Sequence, residues 1–407
     1  MRASLRKHNF TAISNNIPMH SRHDMDVETL IAHYAEQPKN HGAVVHPIFQ
    51  NSLFSFDTAQ ELMNALENEP VGPPHHYSRI SNPTLDIIER KIAALEGAEA
   101  CKVVGCGLAA IAASVTHFLK AGAHVIIPDT AYGPVRDLLS KFYDRFGVTM
   151  TLVSGTSVDE IRAAIRPETT LIYLESPSSA LFRMQDIAEI TAVAKAHGIA
   201  TVIDNTYATP LLLNPIALGV DVVCHSCTKY IGGHSDVTAG AIVGSKALVH
   251  AITMREVNMF GNVLHPFSAW LLLRGLRTLP LRLSQHEKAA NEIAAWVEKH
   301  PLVNQVHHIS LDSYPQRELW QKYFRGSGGL FSFEPKFQTK AEVFQFCDAL
   351  HYFQKGISWG GFESLVVPLH VHPQDYAEPR WVIRLFCGLE NPSSLIADMD
   401  QAFATLG

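Results

Sequence analysis

Short apolar runs and helix-spaced segments alternate along the middle of the chain. Residues 101–104, 124–127, 148–153, 171–174, 199–203, 222–224 and 238–243 have the length and β-branched content of buried strands. Between them Leu85, Ile88, Ile92 and Leu95 recur at helical spacing until Gly97 supplies a stop, and further helices are expected from Gly107, over 133–146, over 157–165 and over 186–197. Repeated strand–helix units predict an α/β fold with a mostly parallel, doubly wound sheet covered on both faces and right-handed connections. After Leu273 the pattern changes. One long helix is expected to about residue 300, then strands at 329–333, 357–361 and 382–386 with a helix over 340–350, which fits a smaller C-terminal α+β domain. Residues 25–36 read as a short helix without a core of its own, and 46–56 read as extended. The expected division is an arm over 1–75 that contacts a partner subunit, a large domain over 76–273 and a small domain over 274–407.

Composition narrows the function classes. The chain has 407 residues, 47% hydrophobic and 18% charged, which excludes a disordered or collagen-like chain. A net charge of −6 without a basic tract in the body of the chain gives no footprint for nucleic acid. The uncharged runs 103–119 and 257–273 approach the length of a membrane span, but both are interrupted, the first by Gly105, Gly107 and His117, the second by Asn258, Asn262 and His265-Pro266. Residues 1–23 lack acids and carry Arg2, Arg6, Lys7 and Arg22, a composition shared by flexible arms and transit peptides; a flexible arm and a cytoplasmic protein are expected. Six cysteines in so long a chain suggest a reducing compartment rather than a disulfide framework.

The candidate chemistry concentrates in residues 221–236, DVVCHSCTKYIGGHSD. A strand-like run opens there into a polar turn holding Ser226, Thr228 and Lys229, and an earlier apolar run ends in Asp204. Both groups therefore sit where strands empty into loops, the ligand-binding edge of open α/β sheets. An amine that condenses with a carbonyl cofactor and a carboxylate that keeps a pyridine nitrogen protonated are what pyridoxal phosphate needs from a protein. A lysine after a strand is more often a solvated surface residue. Cys224 and Cys227 have CxxC spacing, so a non-catalytic redox or metal-binding protein is the alternative of another class, although no second CxxC accompanies them and no metal site is expected. Gly105-Cys106-Gly107-Leu108 before an apolar helix could present amides to an anion or could simply allow close packing. Arg384, between Ile383 and Leu385, could pair with an acid of its own protein or grip a ligand carboxylate.

The run Thr228-Lys229-Tyr230-Ile231-Gly232-Gly233-His234-Ser235-Asp236 with Val237-Thr238-Ala239-Gly240 resembles the pyridoxal-lysine signature of the cysteine and methionine metabolism enzymes. The likeness extends from about residue 77 to 400 and implies pyridoxal phosphate transferase fold type I. Within it, Tyr77-Ser78-Arg79-Ile80-Ser81-Asn82-Pro83-Thr84 matches a motif whose tyrosine and arginine bind the cofactor phosphate of the neighbouring subunit. The resemblance further implies that the amides of Gly107 and Leu108 and the hydroxyls of Ser226 and Thr228 hold that phosphate, that Tyr132 stacks on the cofactor ring and assists proton transfer, and that Lys229 and Asp204 anchor and polarise the cofactor. Arg384 and Ser358 are implied at the substrate carboxylate, with Trp359 beside them. Ser179 stands where many relatives carry asparagine, and Trp359 where the γ-enzymes commonly carry leucine. Both departures match the bacterial cystathionine β-lyase branch. The implied activity is cleavage of L-cystathionine to homocysteine, pyruvate and ammonia in methionine biosynthesis, by a dimer with shared sites that pairs into a tetramer. The family alternatives are cystathionine γ-lyase, γ-synthase, methionine γ-lyase and O-acetylhomoserine sulfhydrylase.

Overall fold

The computed structural model describes residues 25–36, 42–67 and 72–406. The arm or transit segment expected over 1–23 lies outside the described residues.

Seven strands form the larger sheet: β1 Ala100–Val104, β2 His124–Pro128, β3 Thr149–Val153, β4 Thr169–Glu175, β5 Ala200–Asp204, β6 Val222–His225 and β7 Gly240–Gly244, in the order β1-β7-β6-β5-β4-β2-β3. Strands β2 to β6 pair in parallel. Strand β7 runs against both β6 and β1, because the 226–239 connection is a turn rather than a crossover helix and can only send the chain back. Side chains segregate with period two. Ile172, Leu174, Ile203 and Val223 pack on one face, whereas Leu171, Tyr173, Val202 and Val222 pack on the other with Ala110, Ile111 and Val115 of the helix Gly107–Phe118. Register aligns Glu175 with Asp204 and Asp204 with Cys224, so these three emerge on the face of the Gly107–Phe118 helix, at the C-terminal end of the sheet.

The smaller sheet contains β8 Val303–His307, β9 Leu330–Pro335, β10 Gln354–Lys355, β11 Leu365–Val371 and β12 Arg380–Phe386, in the order β10-β11-β12-β9-β8. Helices Lys340–Ala349, Leu279–Val297 and Pro392–Ala404 cover it, with Phe331, Phe333, Phe346 and Phe403 in its core.

Several sequence expectations are corrected. The helix expected over 133–146 is a short α-helix, Gly133–Asp137, followed by a π-helical turn and a 3₁₀ turn before Gly147. The single helix expected to residue 300 is two, Pro266–Arg277 and Leu279–Val297, broken at Thr278, since Pro280 has no N–H to continue the ladder. Residues 357–361 are a loop and not a strand. Gly360 has φ +88°, and a Cβ there would lie 2.7 Å from the Lys229 carbonyl carbon. Apart from these corrections, the helix Val27–His33 packs on its own chain: Leu30 and Ile31 are buried, and the Ile31 carbonyl accepts from buried Lys91 at 2.7 Å. A further helix, Ala59–Glu67, lies in the arm without having been expected.

The Pro266–Arg277 helix meets the Lys229 turn with no room to spare. A Cβ on Gly275 would lie 2.1 Å from the Gly232 carbonyl oxygen, a backbone atom that cannot rotate away. Gly275→Ala is therefore expected to destabilise the fold by about 1–3 kcal/mol, read as a lowered midpoint in urea unfolding; an unchanged midpoint would show that the helix recedes without cost.

Candidate functional site

The Lys229 turn is set by its own backbone. The Lys229 amide donates to the Ser226 carbonyl at 3.1 Å, Gly232 to Cys227 at 2.7 Å and Gly233 to Lys229 at 2.8 Å. The reversal aims the Lys229 side chain across to the smaller sheet's loop, where Nζ donates to Ser358 Oγ at 2.7 Å and lies 5.5 Å from the centroid of the Trp359 ring. Burial pulls the ammonium down to about 8, and the neighbouring Arg384 cation adds to the effect while Asp204 opposes it. A buried amine that sheds its proton near neutrality is a competent nucleophile and base.

Asp204 closes β5. Its Oδ1 accepts from the Thr206 amide at 2.9 Å and from the Thr206 hydroxyl, and Thr206 Oγ1 in turn accepts from the Ser226 amide at 2.7 Å, which ties this carboxylate to the base of the lysine turn. Burial raises its pKa against the Thr206 hydrogen bonds and the nearby His225 and Lys229. Glu175, its register partner on β4, is pushed up to about 8 by burial and by Asp204, because two carboxylates side by side out of water resist sharing full charge. Glu175 accepts from the Tyr132 amide at 2.7 Å and from the amide and hydroxyl of Ser179, each at 2.7 Å. The Tyr132 ring is 43% exposed and so available as a stacking face, and burial with Asp204 keeps its hydroxyl protonated.

The start of the helix Gly107–Phe118 lies against the same turn. A Cβ on Gly107 would sit 2.6 Å from Ser226 Cβ, and one on Gly240 would sit 2.2 Å from the Cys106 carbonyl oxygen, so glycine at both positions lets helix, turn and β7 meet. The amides of Gly107 and Leu108 belong to the first turn and have no partner within the helix, which makes this corner suited to an anion. Ser226 is at hand there. The Thr228 hydroxyl is engaged with Ala239, whose amide donates to it at 3.0 Å and whose carbonyl lies 3.2 Å away, so it must rotate to donate elsewhere.

Arg384 lies on β12 opposite Val367 and Ser332, and burial lowers its guanidinium to about 10. It makes no ion pair among the described residues. Instead Nη2 donates to the Ile357 carbonyl at 2.6 Å, which orients the fork beside Ser358 and leaves other N–H groups to bind. Lys229, Asp204, Tyr132, Arg384, Ser358, Trp359, Gly107, Leu108, Ser226 and Thr228 thus lie on neighbouring strand ends, turns and loops. Tyr77 and Arg79 are not brought there: Arg79 donates to Asn258 and lies 5.5 Å from the centroid of the exposed Tyr77 ring.

Sequence reasoning gave no role to Glu175, Thr206 or the pair His225 and Glu96, buried together at 2.6 Å beneath the β5 and β6 ends. For Glu175, Thr206 and His225 the sequence signal is position, at or just beyond strand ends; Glu96 instead caps the C-terminus of the helix Pro83–Leu95 and carries no such signal. Cys224 and Cys227 are buried free thiols, and burial raises Cys224 to about 12. No group of three or more possible metal ligands occurs among the described residues.

The residues present fit pyridoxal phosphate: an amine near neutrality, a buried carboxylate, an exposed aromatic face and an anion corner, all beside an unpaired arginine. Residues 28–404 match the sequence profile of the Cys/Met metabolism PLP-dependent enzymes. The chain is 37% identical over 385 residues to L-methionine gamma-lyase of Pseudomonas putida, covering 92% of this chain and 96% of that protein. It is 39% identical over 376 residues to cystathionine beta-lyase of Lactococcus lactis subsp. cremoris, covering 89% and 95%. The solved structure of a putative O-acetylhomoserine (thiol)-lyase (metY) from Campylobacter jejuni, which carries a pyridoxyl-lysine phosphate, superposes with a TM-score of 0.85 at 29% identity over 93% of this chain and all of that one. The chain belongs to the cysteine and methionine metabolism family of pyridoxal phosphate-dependent enzymes.

Proposed function

We propose that this enzyme is a cystathionine β-lyase of the trans-sulfuration route to methionine, working in the cytoplasm. The observation that carries the chemistry is the placement of a near-neutral Lys229 amine 2.7 Å from Ser358, whose loop is held by Arg384. When bound, pyridoxal phosphate supplies an electron sink for a carbanion at the substrate α-carbon. The protein's part is aim and proton handling. Arg384 and Ser358 hold the substrate carboxylate, with Trp359 closing the side of the cleft. Lys229 Nζ would hold the cofactor's aldehyde carbon and, once displaced from it by the substrate amine, would be free to take the α-proton. Asp204 keeps the proton on the ring nitrogen. Tyr132 would cover the ring face, and its protonated hydroxyl would donate a proton to the departing sulfur. Breaking the Cβ–S bond with the electron pair leaving on sulfur gives homocysteine, and hydrolysis of the remaining aminoacrylate gives pyruvate and ammonia. Gly107, Leu108, Ser226 and Thr228 receive the phosphate.

The β-lyase assignment rests on Ser179 and Trp359. Ser179 spends its hydroxyl on Glu175, and Trp359 packs edge-on against Tyr230 at 5.3 Å beside Lys229. A second reading, methionine γ-cleavage, is favoured by Ile357, which is 82% exposed next to the carboxylate clamp and offers an apolar wall to an uncharged thioether. The proposed assembly is a dimer paired into a tetramer, with Tyr77 and Arg79 serving the partner's phosphate site and residues 1–75 as the contacting arm of the 76–273 and 274–407 domains. In support, Tyr77, Leu53, Met259 and Phe260 are exposed at 42%, 60%, 73% and 64%.

Three outcomes test this reading. Purified enzyme given L-cystathionine is expected to release pyruvate and homocysteine; 2-oxobutyrate with cysteine would replace β by γ cleavage, and methanethiol from methionine would favour the second reading. Because burial lowers the Lys229 pKa from 10.5 to about 8, half of these amines are neutral near pH 8. Borohydride-trapped aldehyde capture by apoprotein should therefore rise through that pH and disappear in Lys229→Ala, whereas persistence in the variant would move the anchor elsewhere. Asp204→Asn is expected to lower kcat roughly 10²–10⁴-fold, since an amide cannot hold the ring proton; near-normal turnover would remove Asp204 from that role.

A further inference from the structure

Glu175 ends β4 directly beside Asp204, yet nothing in the proposed chemistry uses it. It is buried, and three donors from two loops converge on its carboxyl group. One oxygen accepts from the Tyr132 amide at 2.7 Å, and the other accepts from the Ser179 amide and hydroxyl, both at 2.7 Å. A second tie between the same loops joins Thr130 Oγ1 to Ser178 Oγ at 2.7 Å. Glu175 is itself braced, because its amide donates to Gln185 Oε1 at 3.0 Å and the Gln185 amide donates to Ser176 Oγ at 3.1 Å. The Tyr132 ring is half exposed and no hydrogen bond fixes its hydroxyl among the described residues, so the ring's direction is inherited from its backbone.

We propose that Glu175 is a positioning residue that aims Tyr132 and the Ser179 loop at the reacting groups, using one carboxyl group as the shared acceptor of both loops. This rests on the reading of Tyr132 as the residue that covers the ring, and it assigns a role to a carboxyl that the proposed chemistry leaves unused. A side chain that held only the fold together would, when altered, lower stability without separating kcat from KM.

Glu175→Gln preserves size but turns one acceptor oxygen into an NH₂ group that faces an amide donor. In apoprotein, hydrogen exchange at Tyr132 and Ser179 is expected to quicken about tenfold, the loss of roughly one hydrogen bond, while Ala200–Asp204 exchanges at the wild-type rate. In holoenzyme the cofactor should stay attached through Lys229 with an altered induced circular dichroism band, and kcat should fall about tenfold or more with KM changed less than about threefold. Glu175→Ala serves as the second variant and should show the same split more strongly. Wild-type exchange at both amides in either folded variant would overturn the proposal, as would faster exchange with unchanged kcat, or faster exchange spread evenly over β5. The exchange arm needs no turnover, so a wild-type enzyme inactive on thioethers would sink the proposed function while leaving the positioning role decided separately.

Discussion

Four ionisable groups withdrawn from water close together are the constraint to which the site answers. Lys229, Arg384, Asp204 and Glu175 all shift toward their neutral forms, and burial is the leading cause for each. Taking Lys229 from 10.5 to about 8 corresponds to roughly 3 kcal/mol of disfavoured charge. The chain accepts that cost where it obtains an amine able to attack a carbonyl. The Arg384 cation adds to the lowering of Lys229, so a carboxylate arriving between Arg384 and Ser358 would offset that cation and return part of the Lys229 amine to its charged form.

Sheet topology makes that gathering possible. Parallel strands β4, β5 and β6 end on one edge, and their register delivers Glu175, Asp204 and Cys224 to one face. The reversal into β7, in place of another crossover helix, lets residues 226–239 stay at the edge and brings the Gly107 corner over them. The smaller sheet then closes the cleft through a loop rather than a strand. Gly360 presses onto the Lys229 backbone and Ser358 receives its amine.

Much of this was legible in the sequence because periodicity and position are local properties. Apolar runs of strand length, broken by glycine and by helix-spaced segments, located β1 to β7, and the acidic or basic residue just past each run located Asp204 and Lys229. What failed were features decided by partners far along the chain. The run at 357–361 has strand composition, but contact with the Lys229 backbone imposes a left-handed glycine. Strand β11 contains Pro368, a residue that argues against a strand, yet it pairs along its whole length with β12. Glu175 was visible as a strand end, but that its carboxyl gathers donors from residues 132 and 179 depends on loop geometry that no single stretch encodes. Tyr77 and Arg79 were legible only through their motif, and their fold places them with Asn258 rather than with the lysine.

The contact between Lys229 and Ser358 also bears on how binding and chemistry connect in the proposed mechanism. A hydroxyl carries one donor and two acceptor sites. Ser358 Oγ accepts from Lys229 at 2.7 Å and still has its own proton to give, so a substrate carboxylate held by Arg384 can accept from Ser358 without displacing the lysine. A chain from amine N–H to hydroxyl to carboxylate polarises each member. Because Ser358 lies on the loop that Arg384 fixes through Ile357, the same groups that orient the substrate also set where the base stands. A ligand that failed to fill the clamp would thus meet a less well directed lysine. Discrimination against compounds without an α-carboxylate then arises in the proton-transfer step as well as in binding, a consequence of joining base and clamp through a single hydroxyl.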